Sequence, residues 1–507
     1  MSDKKKRTDR GKVTQSPSGK KQEDANPEGM TFRKSEFSEW FSEVIAKTQL
    51  CDIRYNVKGF IVFREWAVLC MEEMYKALEK ELQRKGHSPV WFPALIPERN
   101  FKKESEHVEG FIPEVFWVTH AGGEKLTEKL ALRPTSETAM YTMYSQWIRS
   151  WRDLPLKLYQ RAQVWRYETK ATRPFIRSRE FYWIEGHDVF ATREQAENQV
   201  REDTDTTEQV MHGQFGIPFI PFKRPEWDKF AGAVYTVAAD TLMPDGKVIQ
   251  QPSTHFLGQN FSKPFGIKFV DRNEREQLAW QTCYGPAVSR IIASVIAIHG
   301  DDKGLVFPFG IAPLQAVIVP ILKAGHEEKI HAKCESIRSM LEKEGIRARV
   351  DYSENSAGWK FNHWEMRGVP VRIEIGPRDI ENKQAVLVRR DTGQKEAVPE
   401  NEIYRAVKDA GSSLTQSLVR KADAWFASMI RSAGSMHELE SQLEKGGFVR
   451  VDFCSREGEG RHCAEKIKEK LHAEVRGTRA DTHETPKGSC IVCGKKANVV
   501  VYVGKHY

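Results

Sequence analysis

With 507 residues, 29% of them charged and 40% hydrophobic, the chain carries enough apolar material for about three globular domains. Its formal charge of +8, from 78 Lys and Arg against 70 Asp and Glu, permits a polyanionic partner such as RNA without demanding one. No apolar run approaches the ~18 residues of a membrane span. The eight cysteines, half of them in the last stretch of chain, do not form a secreted disulfide framework, so a reducing, cytoplasmic setting is expected.

In chain order, Met1 to about Gly29 reads as a disordered basic tail, rich in Lys and Arg and poor in anything to bury. It lacks the apolar stretch of a secretory signal. Amphipathic helices are expected over Ser35–Thr48 and Glu65–Lys85, the second ended by Gly86. Val90–Pro97 reads as a short apolar strand whose Pro93 confines it to an edge or a partner interface. A helix over Glu137–Trp151 precedes a charged hairpin, and another runs from Glu194 to about His212 with Thr192 and Gln195 at capping-box spacing. Tyr235 to His255 is a hairpin turned at Pro244-Asp245-Gly246. Strand residues around Trp280 lead into an apolar helix over Ser289–His299. Grouped strands with flanking helices predict an α+β unit built on an antiparallel sheet.

Pro308 to Pro313 reads as a linker, and strands then alternate with helices in a compact α/β unit. From about Leu414 a helical stretch leads to the cysteine-bearing end. The expected division is therefore residues 1–29, 30–307, 308–413 and 414–507.

Chemistry concentrates between Val164 and Trp183, read as strand, short loop and strand. Alternate strand residues share a face, so Arg166 and Glu168 point the same way. Lys170, Arg173, Arg177 and Arg179 lie in and beside a loop tightened by Pro174, and Phe181 returns with a flat apolar face. Such a set suits a nucleoside triphosphate held on a sheet. A solvated charged hairpin is the plainer alternative, but Val164, Trp165, Phe175, Tyr182 and Trp183 argue for burial. Neither common glycine-rich phosphate cradle is present, so side chains of the sheet must do the holding. In Leu132-Arg-Pro-Thr-Ser-Glu-Thr138, the hydroxyl of Thr135 lies two residues from the carboxylate of Glu137, a pairing that suits a protonated amine with few N–H donors. The same residues also read as a helix start.

These motifs, with Arg290 opening the late apolar helix, resemble the prolyl-tRNA synthetases of the archaeal and eukaryotic type, which are class II aminoacyl-tRNA synthetases. The resemblance covers the chain from about residue 30 onward. It implies a class II antiparallel-sheet catalytic core, an α/β anticodon-binding domain and a small C-terminal zinc-binding α+β domain. It also implies ligation of L-proline to tRNA(Pro) through a prolyl-adenylate, with ATP and Mg2+, by a homodimer whose interface carries Pro93. Arg166 and Arg290 would be catalytic. Proline would be held by Thr135, Glu137, Arg166 and His255, with Phe111, Glu114, Trp183 and His187 as further pocket positions. ATP would meet Arg166, Glu168, Arg177, Ser178, Phe181, Gln250, Ser253, Ser289 and Arg290, with Gln250 near a magnesium ion. The short interval between Arg166 and Arg290 leaves no room for a large editing insertion.

In the second domain, Glu374, Arg378, Lys383 and Arg389 would read unpaired anticodon bases through edge hydrogen bonds and stacking. Cys490-Ile-Val-Cys-Gly494 is a tight thiolate knuckle that Cys454 and Cys463 would complete as a structural zinc site, with His462 an alternative ligand. Four unmetallated thiols remain the other reading. A non-catalytic relative that keeps the fold, or a synthetase for threonine, serine or glycine, are the competing functions. The intact triphosphate ligands oppose the first, and the aromatic pocket with the Thr135–Glu137 segment opposes the second.

Overall fold

The computed structural model describes residues 29–105, 115–167 and 172–507, with the backbone alone for 103–105. The basic tail to residue 28, Phe111, Glu114, Glu168 and Lys170 lie outside the described residues.

One long sheet organises the molecule. Its strands are β1 (Ser88–Pro89), β2 (Leu156–Trp165), β3 (Glu180–Phe190), β4 (Ile220–Lys223), β5 (Tyr235–Leu242), β6 (Val248–Gly258) and β7 (Trp280–Gly285). They run in the order β4-β5-β6-β7-β3-β2-β1, antiparallel except where β1 joins β2. Of the expected strand over Val90–Pro97 only Leu95–Pro97 forms; β1 ends just before the expected start, and the two short strands belong to different sheets. Pro89 and Pro93 each lack an N–H, so a continuous ladder through this segment is not available.

Helices α1 (Phe37–Lys47), α2 (Glu65–Arg84) and α5 (Val288–His299) cover one face of the sheet, their apolar sides meeting Ile184, Ile249 and Tyr284 in the largest core. Helix α3 (Glu137–Trp147) packs on the other face against Leu158, Val189, Leu257 and Cys283. It stops four residues before the expected Trp151, which opens a separate 3-10 turn capped by Ser150. Helix α4 (Arg193–Thr207) begins at the expected capping box, with Thr192 and Gln195 bonded reciprocally.

The second unit is a five-stranded sheet of β8 (Ala316–Pro320), β9 (Ala348–Val350), β10 (Val371–Ile375), β11 (Gln384–Arg389) and β12 (Lys395–Pro399), in the order β9-β8-β10-β11-β12. Helix α6 (Ile403–Ser428) runs 26 residues without a break through position 413. It starts well before the expected Leu414.

The C-terminal unit contributes β13 (Ile430–Ser432), β14 (Phe448–Phe453), β15 (Glu474–Arg479) and β16 (Val499–Gly504), with helix α7 (Arg461–Leu471) against them. Their order β13-β14-β16-β15 continues directly into β4, so the end of the chain extends the first sheet to eleven strands. Among the described residues no helix is long and apolar enough to cross a membrane.

Candidate active site

Side-chain alternation on β3 builds the floor of the site. Phe181, Trp183, Glu185 and His187 occupy every second position and therefore share one face. Cross-strand register then sets His187 beside Cys283 on β7, and Cys283 beside His255 on β6. Between the pairs Ala238–Ser253 and Asp240–Gln250, the single Ala239 of β5 faces two residues of β6, a bulge at Gln251-Pro252. The extra residue returns Gln250 to the face of Ser253 and His255, while the Gln251 amide donates to Ser294 of α5 at 2.7 Å. Proline in a central strand is tolerated at such a bulge.

A cavity of about 200 Å³ is lined from this face together with Thr135 and Glu137 at the start of α3 and with Arg166. The Thr135 hydroxyl donates to Glu137 Oε2, which leaves its lone pairs to accept from a ligand. Arg166 follows β2. Its backbone N–H bonds the Arg179 carbonyl at 2.9 Å, its Nε donates to the Pro134 carbonyl at 3.1 Å, and its guanidinium carbon lies 5.3 Å from the Phe181 ring and 5.6 Å from Trp183. The cation is thus fixed over aromatic faces.

Beneath it, Glu185 is buried and fully bonded. Its carboxylate accepts from Ser136 N–H at 3.1 Å, from the Ser136 hydroxyl, from Gln160 Nε2 at 2.8 Å and from His187 Nε2 at 3.3 Å. Burial alone would raise its pKa, but the bonds from His187, Ser136 and Gln160 hold it below the ordinary value. Burial would likewise lower His187, and the Glu185 and Glu137 carboxylates raise it instead. His255 goes the other way: burial, with Arg224 and His187 nearby, pulls it down to about 3, so it stays neutral. Its ring bonds Thr236 at 2.8 Å and Ser253 at 3.1 Å and lies 4.6 Å from Phe230. Cys283 is pushed well above its usual range by burial and by the Glu137 carboxylate.

The nucleotide-side expectations separate. Gln250 and Ser253 line the cavity, and Arg290 Nη1 donates to the Gln250 carbonyl at 3.2 Å. Arg177 Nη2 donates to the carbonyl of Tyr507 at 3.0 Å, and the Tyr507 hydroxyl donates to Asp245 at 2.8 Å, bringing the last residue to this edge. The Ser178 hydroxyl donates to the Glu180 carbonyl at 2.6 Å. Ser289 departs from expectation. It is 2% exposed and bonds both the N–H (3.2 Å) and the carbonyl (3.3 Å) of Tyr182, so it pins α5 to β3 and its hydroxyl does not face the cavity.

A larger groove of about 980 Å³ opens beside this cavity and shares Arg224 and Lys229 with it. It is wide and mixed in charge, whereas the smaller cavity brings the shifted His187, His255, Glu185 and Cys283 together with Thr135, Glu137 and Arg166 and is the better candidate.

Comparison with known proteins places the chain in a family. Residues 116–299 match the tRNA synthetase class II core domain (G, H, P, S and T), 315–410 match an anticodon binding domain, and 436–507 match the C-terminal domain of prolyl-tRNA synthetase. The chain is 50% identical over 484 residues to the proline–tRNA ligase of Thermofilum pendens, covering 95% of this chain and 99% of that protein. The chain belongs to the prolyl-tRNA synthetase family. The Pyrococcus horikoshii proline–tRNA ligase is 43% identical over 477 residues, covering 93% of this chain and 98% of its own length. The solved structure of Giardia lamblia prolyl-tRNA synthetase in complex with prolyl-adenylate superimposes with a TM-score of 0.90 at 37% identity, over 94% of this chain and 100% of that one.

As a prolyl-tRNA synthetase family member, the chain carries two further candidate regions. In the anticodon-binding domain, Glu374 is buried and accepts from Arg372 at 3.0 Å and Lys395 at 2.9 Å, and Arg389 pairs with Asp391 at 2.9 Å. Arg378 and Lys383 are exposed beside them. In the C-terminal domain, the sulfurs of Cys454, Cys463, Cys490 and Cys493 all lie within 4.8 Å of one another. That spacing suits four thiolates on a tetrahedral zinc with bonds of ~2.3 Å. Backbone N–H of Lys495 and the neighbouring thiols bring Cys493 down to about 7. His462 is not part of the cluster.

Sequence reasoning missed Glu185, Cys283, Phe230, Arg224 and Tyr507. Glu185 alone had a local signal: it continues the alternating row of Phe181 and Trp183.

Proposed function

We propose that this chain joins L-proline to tRNA(Pro) in two steps, through a prolyl-adenylate, releasing pyrophosphate and then AMP. One observation carries this reading: a hydroxyl–carboxylate pair and a fixed guanidinium line the same cavity of about 200 Å³. Proline's protonated secondary amine has two N–H donors, which Thr135 and Glu137 can both accept. Trp183, with Phe111 and Glu114 as further pocket positions, would surround the ring, and His187 and neutral His255 close the floor.

In the first step a carboxylate oxygen of proline attacks the α-phosphorus, and the bond to the β-phosphate oxygen breaks with its electron pair leaving on pyrophosphate. Arg166 would neutralise both the carboxylate and the α-phosphate. Glu168 and Phe181 would hold adenine, and Arg290, Ser178 and Arg177 the phosphates, the last in exchange for its Tyr507 contact. A magnesium ion near Gln250 would supply additional charge to the phosphates. In the second step a 3′-end hydroxyl of tRNA attacks the prolyl carbonyl and AMP departs. No protein nucleophile is required, because positioning and charge stabilisation suffice for such transfers. The Giardia lamblia relative, solved with prolyl-adenylate, supports this intermediate.

Residues 30–307 would form the catalytic unit, 308–413 the anticodon reader and 414–507 the C-terminal unit, with helix α6 shared by the last two. Glu374, Arg378, Lys383 and Arg389 would contact anticodon bases, and the four cysteines would hold a structural zinc. Assembly as a cytoplasmic homodimer fits the exposure of Trp91, which leaves 88% of its surface uncovered two residues from Pro93. Proline-dependent ATP–pyrophosphate exchange tests the assignment. Exchange with another amino acid and none with proline would overturn it.

A further inference from the structure

The C-terminal unit reaches the nucleotide side of the cavity through a buried chain of charges. Strand β15 pairs with β4 at Thr478 with Lys223 and Arg479 with Phe222. The approach is so close that a Cβ on Gly477, at φ +126°, would lie 2.2 Å from the Lys223 carbonyl oxygen. One residue earlier, Arg476 is 5% exposed and donates to Asp240 of β5 from Nε at 2.8 Å and Nη2 at 3.3 Å. Asp240 has no exposed surface, and it also accepts both Nη groups of Arg224 at 2.7 Å each.

Arg224 divides its fork further. Nη1 donates to the Arg476 carbonyl at 2.9 Å, and Nη2 donates to Gln250 Oε1 at 3.2 Å inside the cavity. The carbonyl of the same Gln250 receives Arg290. On its outer side Arg476 meets Glu474 at 3.4 Å, which pairs with Lys468 at 2.8 Å and His506 at 2.7 Å. A fully buried carboxylate keeps its position through its donors, and Arg476 supplies two of the four side-chain N–H donors that Asp240 accepts. Without Arg476, Asp240 is held by Arg224 alone, so the carboxylate and the fork bonded to it can shift together and the Gln250 amide loses a donor fixed in place.

We propose that Arg476 is a positioning residue for ATP, acting through Asp240 and Arg224 to hold Gln250 at the nucleotide edge of the cavity. The C-terminal unit therefore tunes nucleotide binding and does more than stabilise the fold. This rests on the reading of Gln250 as a nucleotide-side residue, and the test separates the two.

Full-length Arg476→Met, Arg476→Lys and Gln250→Ala are compared by ATP–pyrophosphate exchange, with KM for ATP and for proline measured separately. Arg476→Met is expected to raise KM for ATP about tenfold, the scale of one charge-assisted hydrogen bond, while KM for proline changes less than about twofold. Arg476→Lys keeps the charge but cannot fork, and should give an intermediate rise. Should Arg476→Met fail to fold, Arg476→Lys decides: a raised KM for ATP supports the relay, and wild-type values overturn it. Equal rises in both KM values, or a lower kcat with both unchanged, would mark a merely structural role and overturn it as well. If Gln250→Ala leaves KM for ATP unchanged, the nucleotide reading of Gln250 falls and takes the relay with it. If Gln250→Ala raises KM for ATP and the Arg476 variants do not, the relay alone falls.

Discussion

Glu137→Gln isolates what this carboxylate in the lining of the cavity contributes. The side chain is buried, receives the Thr135 hydroxyl and lines the same cavity as Arg166. The amide has the same shape and its carbonyl oxygen still accepts from Thr135, so the local packing survives. What disappears is the charge that would face an ammonium. A hydrogen bond to a charged partner contributes ~1.5–3 kcal/mol. At ~1.4 kcal/mol per factor of ten, the expected rise in KM for proline is roughly ten- to a hundredfold. ATP meets other residues, so its KM should move little. No buried charge is left unpaired, and the thermal midpoint should hold. The assay is proline-dependent ATP–pyrophosphate exchange with each substrate varied at saturation of the other. An unchanged KM for proline, or an equal rise for ATP, would refute the assignment of Glu137 to the amine.

Ser289→Ala should leave KM for ATP unchanged while lowering stability by about 1 kcal/mol in denaturant unfolding, because the half-buried Tyr182 N–H loses its acceptor. Cys490→Ser should reduce zinc from roughly one ion per chain to a small fraction in metal analysis and lower the thermal midpoint; unchanged metal content would refute the site. Asp203, buried and near Asp188, is pushed up to about 6 by burial and that second carboxylate. With the folded pKa above the unfolded one, the folded state binds the extra proton, so this term weakens stability as pH rises from about 4 through 6. Asp203→Asn should therefore gain stability relative to the wild type at pH 7.5 and not at pH 4, by at most about 3 kcal/mol for a shift of this size. A difference between the two proteins that is independent of pH would contradict it.

The elements were legible where local chemistry decides them. The capping box at Thr192, the turn at Pro244-Asp245-Gly246 and the apolar face of α5 each carry their own signal. Helix α6 was expected only from about Leu414, whereas it runs from Ile403 with Gly411 inside it. The glycine is there for packing: a Cβ would sit 2.3 Å from the Phe309 ring. Thr135 and Glu137 stood out as a pair two residues apart in one short motif and Arg166 as part of the charged hairpin, and all three line one cavity. Cys283, Arg224 and Phe230 enter the cavity through strand register and long connections, which no local spacing records. Ser289 shows the converse. A polar residue beside Arg290 read as a ligand, yet its hydroxyl is spent on the neighbouring strand.

The most direct test is the rate of ATP–pyrophosphate exchange for Arg166→Ala in protein shown to be folded by its thermal midpoint. Losing a preorganised cation at the reacting phosphorus should slow exchange by roughly a hundred- to a thousandfold. Exchange near the wild-type rate in that folded variant would contradict the central role given to this guanidinium.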